Sequence, residues 1–215
     1  MRVLNWAESP DATLTAALEC LKQGGLVAFP TDTLYGLGAD VGSDGAVQRL
    51  FQAKRRSPGT PLPILIASVE QAATLTTGMP ALALKLGDLF WPGPLTMVLE
   101  RSPAFQSSAL AGSAAVALRV PDHAVPLALI RALGQPITGT SANRSGQPAP
   151  RTADEVVEQL DREIDVVIDG GPCPLGVEST VVDLRSGVPR ILREGAIRRQ
   201  ELESAAGLPF DLAEE

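Results

Sequence analysis

Short apolar runs alternate with stretches of helical spacing along the whole chain, and no other feature restricts the fold as much. Leu26 to Phe29, Leu62 to Ala67, residues 94–99, 115–120 and 136–138, Val166 to Asp169, Ser179 to Leu184 and Arg190 to Arg193 have the length and composition of strands. Ser9-Pro10 opens a helix in which Leu14, Leu18 and Leu21 recur at helical spacing, and Gly24-Gly25 stops it. A second helix begins at Ser43, turns Val47, Leu50 and Phe51 inward, and ends near Lys54 because Pro58 restricts Ser57. Residues 69–76, 80–90, 124–133 and 199–206 also read as helical. Thr152-Ala153-Asp154-Glu155 is a capping box ahead of inward-facing Val156, Val157 and Leu160. Strands and helices alternate without a strict strand-helix-strand rhythm, which predicts an α/β fold with a mixed sheet flanked by helices.

A chain of 215 residues suits one domain spanning 1–215. It can bury about 70% of its unfolded surface and needs no disulfide or metal staple. The Pro- and Ser-containing string at 140–150 lies between regular elements and reads as an ordered loop inside that domain, and with Gly146, Pro148 and Pro150 it is the candidate for a lid. Cys20 and Cys173 are far apart in sequence and read as reduced thiols packed as small hydrophobes. The first residues break their apolar run too early for a signal peptide, and no run is long enough to span a membrane. The expectation is a cytoplasmic protein with no membrane partner. A net charge of −7 opposes non-specific attraction to nucleic acid, while leaving room for a local basic cleft.

Several chemistries are excluded by residue count. The chain has one histidine, His123, and two scattered cysteines, which leaves no histidine-rich metal site and makes a zinc centre a poor fit. Neither a G-x-S-x-G elbow nor a GxxxxGK phosphate loop is present, and Gly36, Gly38 and Gly42 miss the dinucleotide spacing. What remains is a set of polar strings, each beside a strand. They are Pro30 to Gly38, Lys54-Arg55-Arg56 with Thr60 behind it, Arg119 with Asp122-His123, Thr138 to Asn143, Gly176 to Thr180, and Arg193. Ligands in open α/β sheets sit beyond strand ends, where such loops converge. Cations among hydroxyls and free backbone N–H groups suit a polyanion such as a nucleoside triphosphate. Taken singly, each string also has a structural use: Lys54 to Arg56 complements a helix dipole, Ser and Thr satisfy turn backbone, Glu178 can be a solvated charge, and His123 can cap a helix.

In the order "FPTDTLYGLGAD", "QAKRR…PLPILI", "WPGPLTMVL", "VALRVPDH", "TSANRSG", "GVESTVVD" and "ILREGAI", the chain resembles the YrdC-like family, specifically its threonylcarbamoyl-adenylate synthases (TsaC) in the single-domain form. The resemblance implies a twisted mixed sheet around a concave, basic cleft. It implies an enzyme that joins L-threonine, bicarbonate or CO2 and ATP, with Mg2+, into threonylcarbamoyl-adenylate and pyrophosphate. The threonylcarbamoyl group then reaches tRNA, directly or through downstream transferase proteins. By motif, Thr33, Arg119 and Ser179 fall to threonine. Lys54, Arg56, Thr60, Ser141, Asn143 and Arg193 fall to the nucleotide, with Lys54 and Arg56 also catalytic as charge neutralisers. Thr60 stands where relatives carry Lys or Asn, Leu65 where some carry His, and Ala149 where some carry Ser. A contact at Leu65 is therefore apolar or through backbone. Competing readings are an RNA-binding module, disfavoured by few stacking aromatics, and a paralogue with another carbamoyl or adenylyl substrate.

Overall fold

The computed structural model describes residues 1–213. In chain order its first elements are β1 (Arg2–Asn5), α1 (Pro10–Lys22), β2 (Val27–Phe29), β3 (Gly36–Gly38), α2 (Asp44–Lys54) and β4 (Ile64–Leu65). There follow α3 (Val69–Leu75), α4 (Ala81–Phe90), β5 (Leu95–Glu100), a 3-10 turn at Ser108–Leu110, β6 (Ala115–Arg119) and α5 (Ala124–Leu133). Then come β7 (Ile137–Thr138), β8 (Thr140–Ser141), α6 (Ala153–Leu160), β9 (Val166–Asp169), β10 (Thr180–Asp183), β11 (Arg190–Arg193), α7 (Arg199–Ala206) and β12 (Asp211–Leu212).

Local chemistry accounts for the helix ends. Pro10 opens α1 where no backbone donor is required, and Gly24, at φ +76°, takes the left-handed position beyond its last turn. The Ser43 hydroxyl accepts from the Ala46 amide at the start of α2. At α6 the capping box is half realised. Thr152 accepts from the Glu155 amide, but the Glu155 carboxylate reaches the Arg151 amide, one residue earlier than the reciprocal pattern requires.

The expected mixed α/β class is present, but the strands form two sheets rather than one. The first runs β1-β9-β2-β3-β8, and the second runs β12-β11-β10-β5-β6-β4-β7. Each mixes parallel and antiparallel pairs: β2 is parallel to β9 and antiparallel to β3, and β6 is parallel to β4 and antiparallel to β5. The chain crosses between sheets at Gly139, which separates β7 from β8. Thr138 stitches the crossing, its hydroxyl accepting from the Ala39 amide at 2.9 Å and donating to the Leu37 carbonyl at 3.0 Å. The strand expected over 62–67 is regular only at Ile64–Leu65.

The glycine-rich part of "FPTDTLYGLGAD" is itself a strand, β3, folded back against β2. Its glycines are set by Phe29, whose ring lies across them. A Cβ would come within 2.9 Å of that ring at Gly36 and 2.6 Å at Gly38. A larger apolar core gathers Tyr35, Leu50, Ile64, Met97, Leu118 and Phe210. A smaller one, between α1, α5 and the first sheet, gathers Leu21, Phe29, Leu129 and Ile168. Each such buried side chain contributes about 1.5–3 kcal/mol. Cys20 and Cys173 are buried and unpaired, and burial pushes both thiols up to about 11, where they remain protonated. Among the described residues no helix is long and apolar enough to cross a membrane.

Candidate functional site

A cleft of about 260 Å3 opens where the two sheets meet. The loop between β2 and β3 and the strand β8 line it from the first sheet, and Leu65, Thr96, Ala117, Val181 and Arg193 line it from the second. The predicted residues Thr33, Arg56, Arg119, Ser141, Ser179 and Arg193 meet there, from segments up to 160 positions apart. Leu65, Pro61 and Pro63 supply an apolar stretch of wall, so position 65 offers the apolar surface expected of it.

Arg119 is the most constrained cation of the cleft, with 6% of its surface exposed. It ends β6, and its Nε donates to the Gly93 carbonyl at 2.9 Å. Nη1 donates to Thr33 Oγ1 at 2.9 Å and Nη2 to Asp32 Oδ1 at 2.5 Å. Burial pushes the guanidinium toward losing its proton, and the Asp32 carboxylate opposes that shift. Asp32 Oδ1 also accepts from the Asp122 amide at 3.1 Å, while Oδ2 is buried with no partner. The turn preceding β3 is held by Thr31, whose hydroxyl donates to the Leu34 carbonyl at 2.7 Å and accepts from the Thr33 and Leu34 amides. Thr33 therefore presents its hydroxyl from a fixed turn.

The opposite wall is built around Ser179. Its hydroxyl pairs with Thr96 Oγ1 at 2.9 Å. The Arg193 guanidinium reaches the Ser179 carbonyl at 2.9 Å and its hydroxyl at 3.2 Å. Nη1 of Arg193 also meets Glu178 Oε2 at 2.8 Å. The two walls are joined through backbone, because the Gly176 amide donates to the Thr33 carbonyl at 3.0 Å.

Lys54, Asn143 and Thr60 do not line the cleft. Lys54 is 2% exposed, and its ammonium is turned onto the carbonyls of Ser141 and Asn143, the latter at 2.8 Å, and onto Asn143 Oδ1 at 3.2 Å. Burial pushes Lys54 down to about 7, and the charge of Arg56 adds to the shift. Asn143 in turn accepts from Ser141 Oγ and donates to the Gln147 carbonyl, each at 2.6 Å. Lys54 and Asn143 thus brace the wall that Ser141 presents. Thr60 lies on an exposed turn, with its amide on the Ser57 carbonyl. Arg56 reaches the cleft, with Nη2 on the Pro61 carbonyl at 3.1 Å and a buried Nε left without a partner. His123 caps α5, its Nδ1 accepting from the Val125 amide at 3.2 Å.

Sequence reasoning assigned no part in the site to Thr96 and left Asp32 and Glu178 open. Thr96 was detectable as a lone hydroxyl in the apolar strand Leu95–Glu100. The charges on the lining are Arg56, Arg119, Arg193 and Glu178. Among the described residues no three His, Cys, Asp or Glu side chains gather closely enough to hold a metal ion.

Residues 19–195 match the family model Sua5/YciO/YrdC, described as telomere recombination. The chain belongs to this family. A Bacillus subtilis (strain 168) member curated as threonylcarbamoyl-AMP synthase is 42% identical over 198 residues, covering 92% of this chain and 57% of its own length. An Alkalilimnicola ehrlichii member of the same name is 38% identical over 182 residues, covering 83% of this chain and 90% of its own length. The fold superimposes on Pyrococcus abyssi Sua5 complexed with L-threonine with a TM-score of 0.92 and 39% identity, over 99% of this chain and 63% of that one. The chain thus spans less than two thirds of the length of the Bacillus and Pyrococcus relatives.

Proposed function

We propose that this family member is an enzyme, a nucleotidyltransferase that forms threonylcarbamoyl-AMP and pyrophosphate from L-threonine, bicarbonate or CO2, and ATP. The observation that carries the reading is the placement of Arg119 beside Thr33 in one cleft with Arg56 and Arg193. A guanidinium held at three points is preorganised for a carboxylate, and two further guanidiniums suit a phosphate chain. The names of the relatives point the same way.

In this reading threonine binds as the ammonium, loses a proton to solvent, and the free amine then attacks CO2, releasing a second proton to solvent as the carbamate forms. A carbamate oxygen then attacks the α-phosphorus of ATP and pyrophosphate leaves. Neither step requires a nucleophile from the protein, which suits a cleft lined by hydroxyls and guanidiniums. Arg119 and Thr33 fix the amino acid, with Ser179 close by. Arg56 and Arg193 neutralise charge that develops on the phosphates. Ser141 meets the nucleotide, with Lys54 and Asn143 holding its backbone in place. Mg2+ would enter with ATP as part of the substrate and share in neutralising the triphosphate. The product is a labile mixed anhydride, to be consumed by proteins that transfer the threonylcarbamoyl group to tRNA in the cytoplasm.

The test is the identity of the product. Incubation with ATP, L-threonine and labelled bicarbonate is expected to yield one species containing threonine, the labelled carbon and AMP. Label recovered only as bicarbonate and CO2 would contradict the reading.

A further inference from the structure

Glu178 is the one carboxylate on the cleft lining among the described residues. A negative side chain in a wall that receives a polyanion is unfavourable unless it does something there. Its present partner, Arg193, does not account for it as a structural element. The pair is about half exposed on each side, and ion pairs so open to solvent add little to stability. Arg193 is in any case held by the Ser179 carbonyl and hydroxyl.

The position of Glu178 says what it can do. Two residues before it, the Gly176 amide is bonded to Thr33, and one residue after it, Ser179 is bonded to Thr96 and Arg193. Glu178 is therefore tied by short backbone links to the wall where Arg119 and Thr33 stand. Arg119 can take a carboxylate, but an α-amino acid also carries an ammonium group. Of the other charged groups on the lining all are guanidiniums, which repel an ammonium.

Resting on the functional reading above, we infer that Glu178 is the specificity residue that accepts the α-ammonium of the amino-acid substrate, opposite the Arg119 carboxylate anchor. One carboxylate then serves two cations in turn. A nucleotide triphosphate engaging Arg193 releases Glu178 for the ammonium, so that nucleotide and amino acid favour each other's binding. The site selects α-amino acids over α-hydroxy acids because only the former supply the ammonium.

Calorimetric titration of the wild-type chain and Glu178→Gln, each saturated with a non-hydrolysable ATP analogue so that Arg193 is engaged, with L-threonine and with 2,3-dihydroxybutanoate, the analogue bearing hydroxyl in place of ammonium, tests this. Thermal melting of each variant serves as the control for folding. Threonine is expected to bind Glu178→Gln on the order of tenfold more weakly or worse, the scale of one charge-assisted contact, with the hydroxy acid unchanged. Should Glu178→Gln fail to fold, Glu178→Asp, which shortens the reach, is expected to show the same selective loss. Threonine binding unchanged by the substitution overturns the inference. Equal weakening of both ligands also overturns it, since that would mark a structural effect through Arg193. A wild-type chain that binds no threonine removes the functional reading itself and this inference with it.

Discussion

Asp32 Oδ1 lies 2.5 Å from Arg119 Nη2, in an ion pair whose side chains are each 8% exposed. Both groups have left water, and their mutual attraction is supplemented by bonds to Thr33, Gly93 and the Asp122 amide. Removing one partner strands the other as an uncompensated buried charge. Asp32→Asn is therefore expected to destabilise the fold by about 3–5 kcal/mol. Urea denaturation at neutral pH measures it, and a loss under about 1 kcal/mol would contradict a buried pair.

Arg119→Lys keeps the charge but loses the planar fork, so a single ammonium cannot serve Gly93, Thr33, Asp32 and a substrate carboxylate together. Threonine affinity is expected to fall tenfold or more, on the scale of a charge-assisted hydrogen bond, with ATP affinity changed far less. Calorimetry with each ligand separates the two. Equal losses for both would place Arg119 outside the amino-acid end.

Lys54 has a pH signature. Burial lowers its folded-state value to about 7 from an ordinary 10.5, so between those limits the unfolded chain binds more protons than the folded one. Stability is then expected to rise with pH from about 7 toward 10.5 on this group's account, and to show no contribution to the slope well below 7. Lys54→Met should remove that rise. Denaturant midpoints across the pH range, wild type against variant, decide it, and parallel curves would refute the assignment.

Gly38→Ala places a Cβ 2.6 Å from Cε1 of the buried Phe29 ring. Overpacking of this kind costs about 1–3 kcal/mol. The expected result is a lowered melting temperature, relieved by adding Phe29→Leu. An unchanged melting temperature in the single variant would show that the ring is free to move.

Much of this was legible in the sequence because each polar string follows or precedes an apolar strand, and strand-end loops converge. The motif residues Thr33, Arg56, Arg119, Ser141, Ser179 and Arg193 accordingly meet in one cleft. The division into two sheets was not legible. β3 and β8 are short, carry no apolar alternation, and pair with each other across about a hundred residues of chain. The inward turn of Lys54 was equally hidden. Lysine is seldom buried, and its acceptors lie 87 and 89 positions away, at the end of β8 and in the loop after it. Asp32 was visible as a residue, but its partner became known only when β6 delivered Arg119 to the same turn.

Pyrophosphate release, followed with each substrate withheld in turn, tests the central claim most directly. The account predicts release from ATP only when L-threonine and bicarbonate are both present. Release that continues at the same rate without threonine would contradict it.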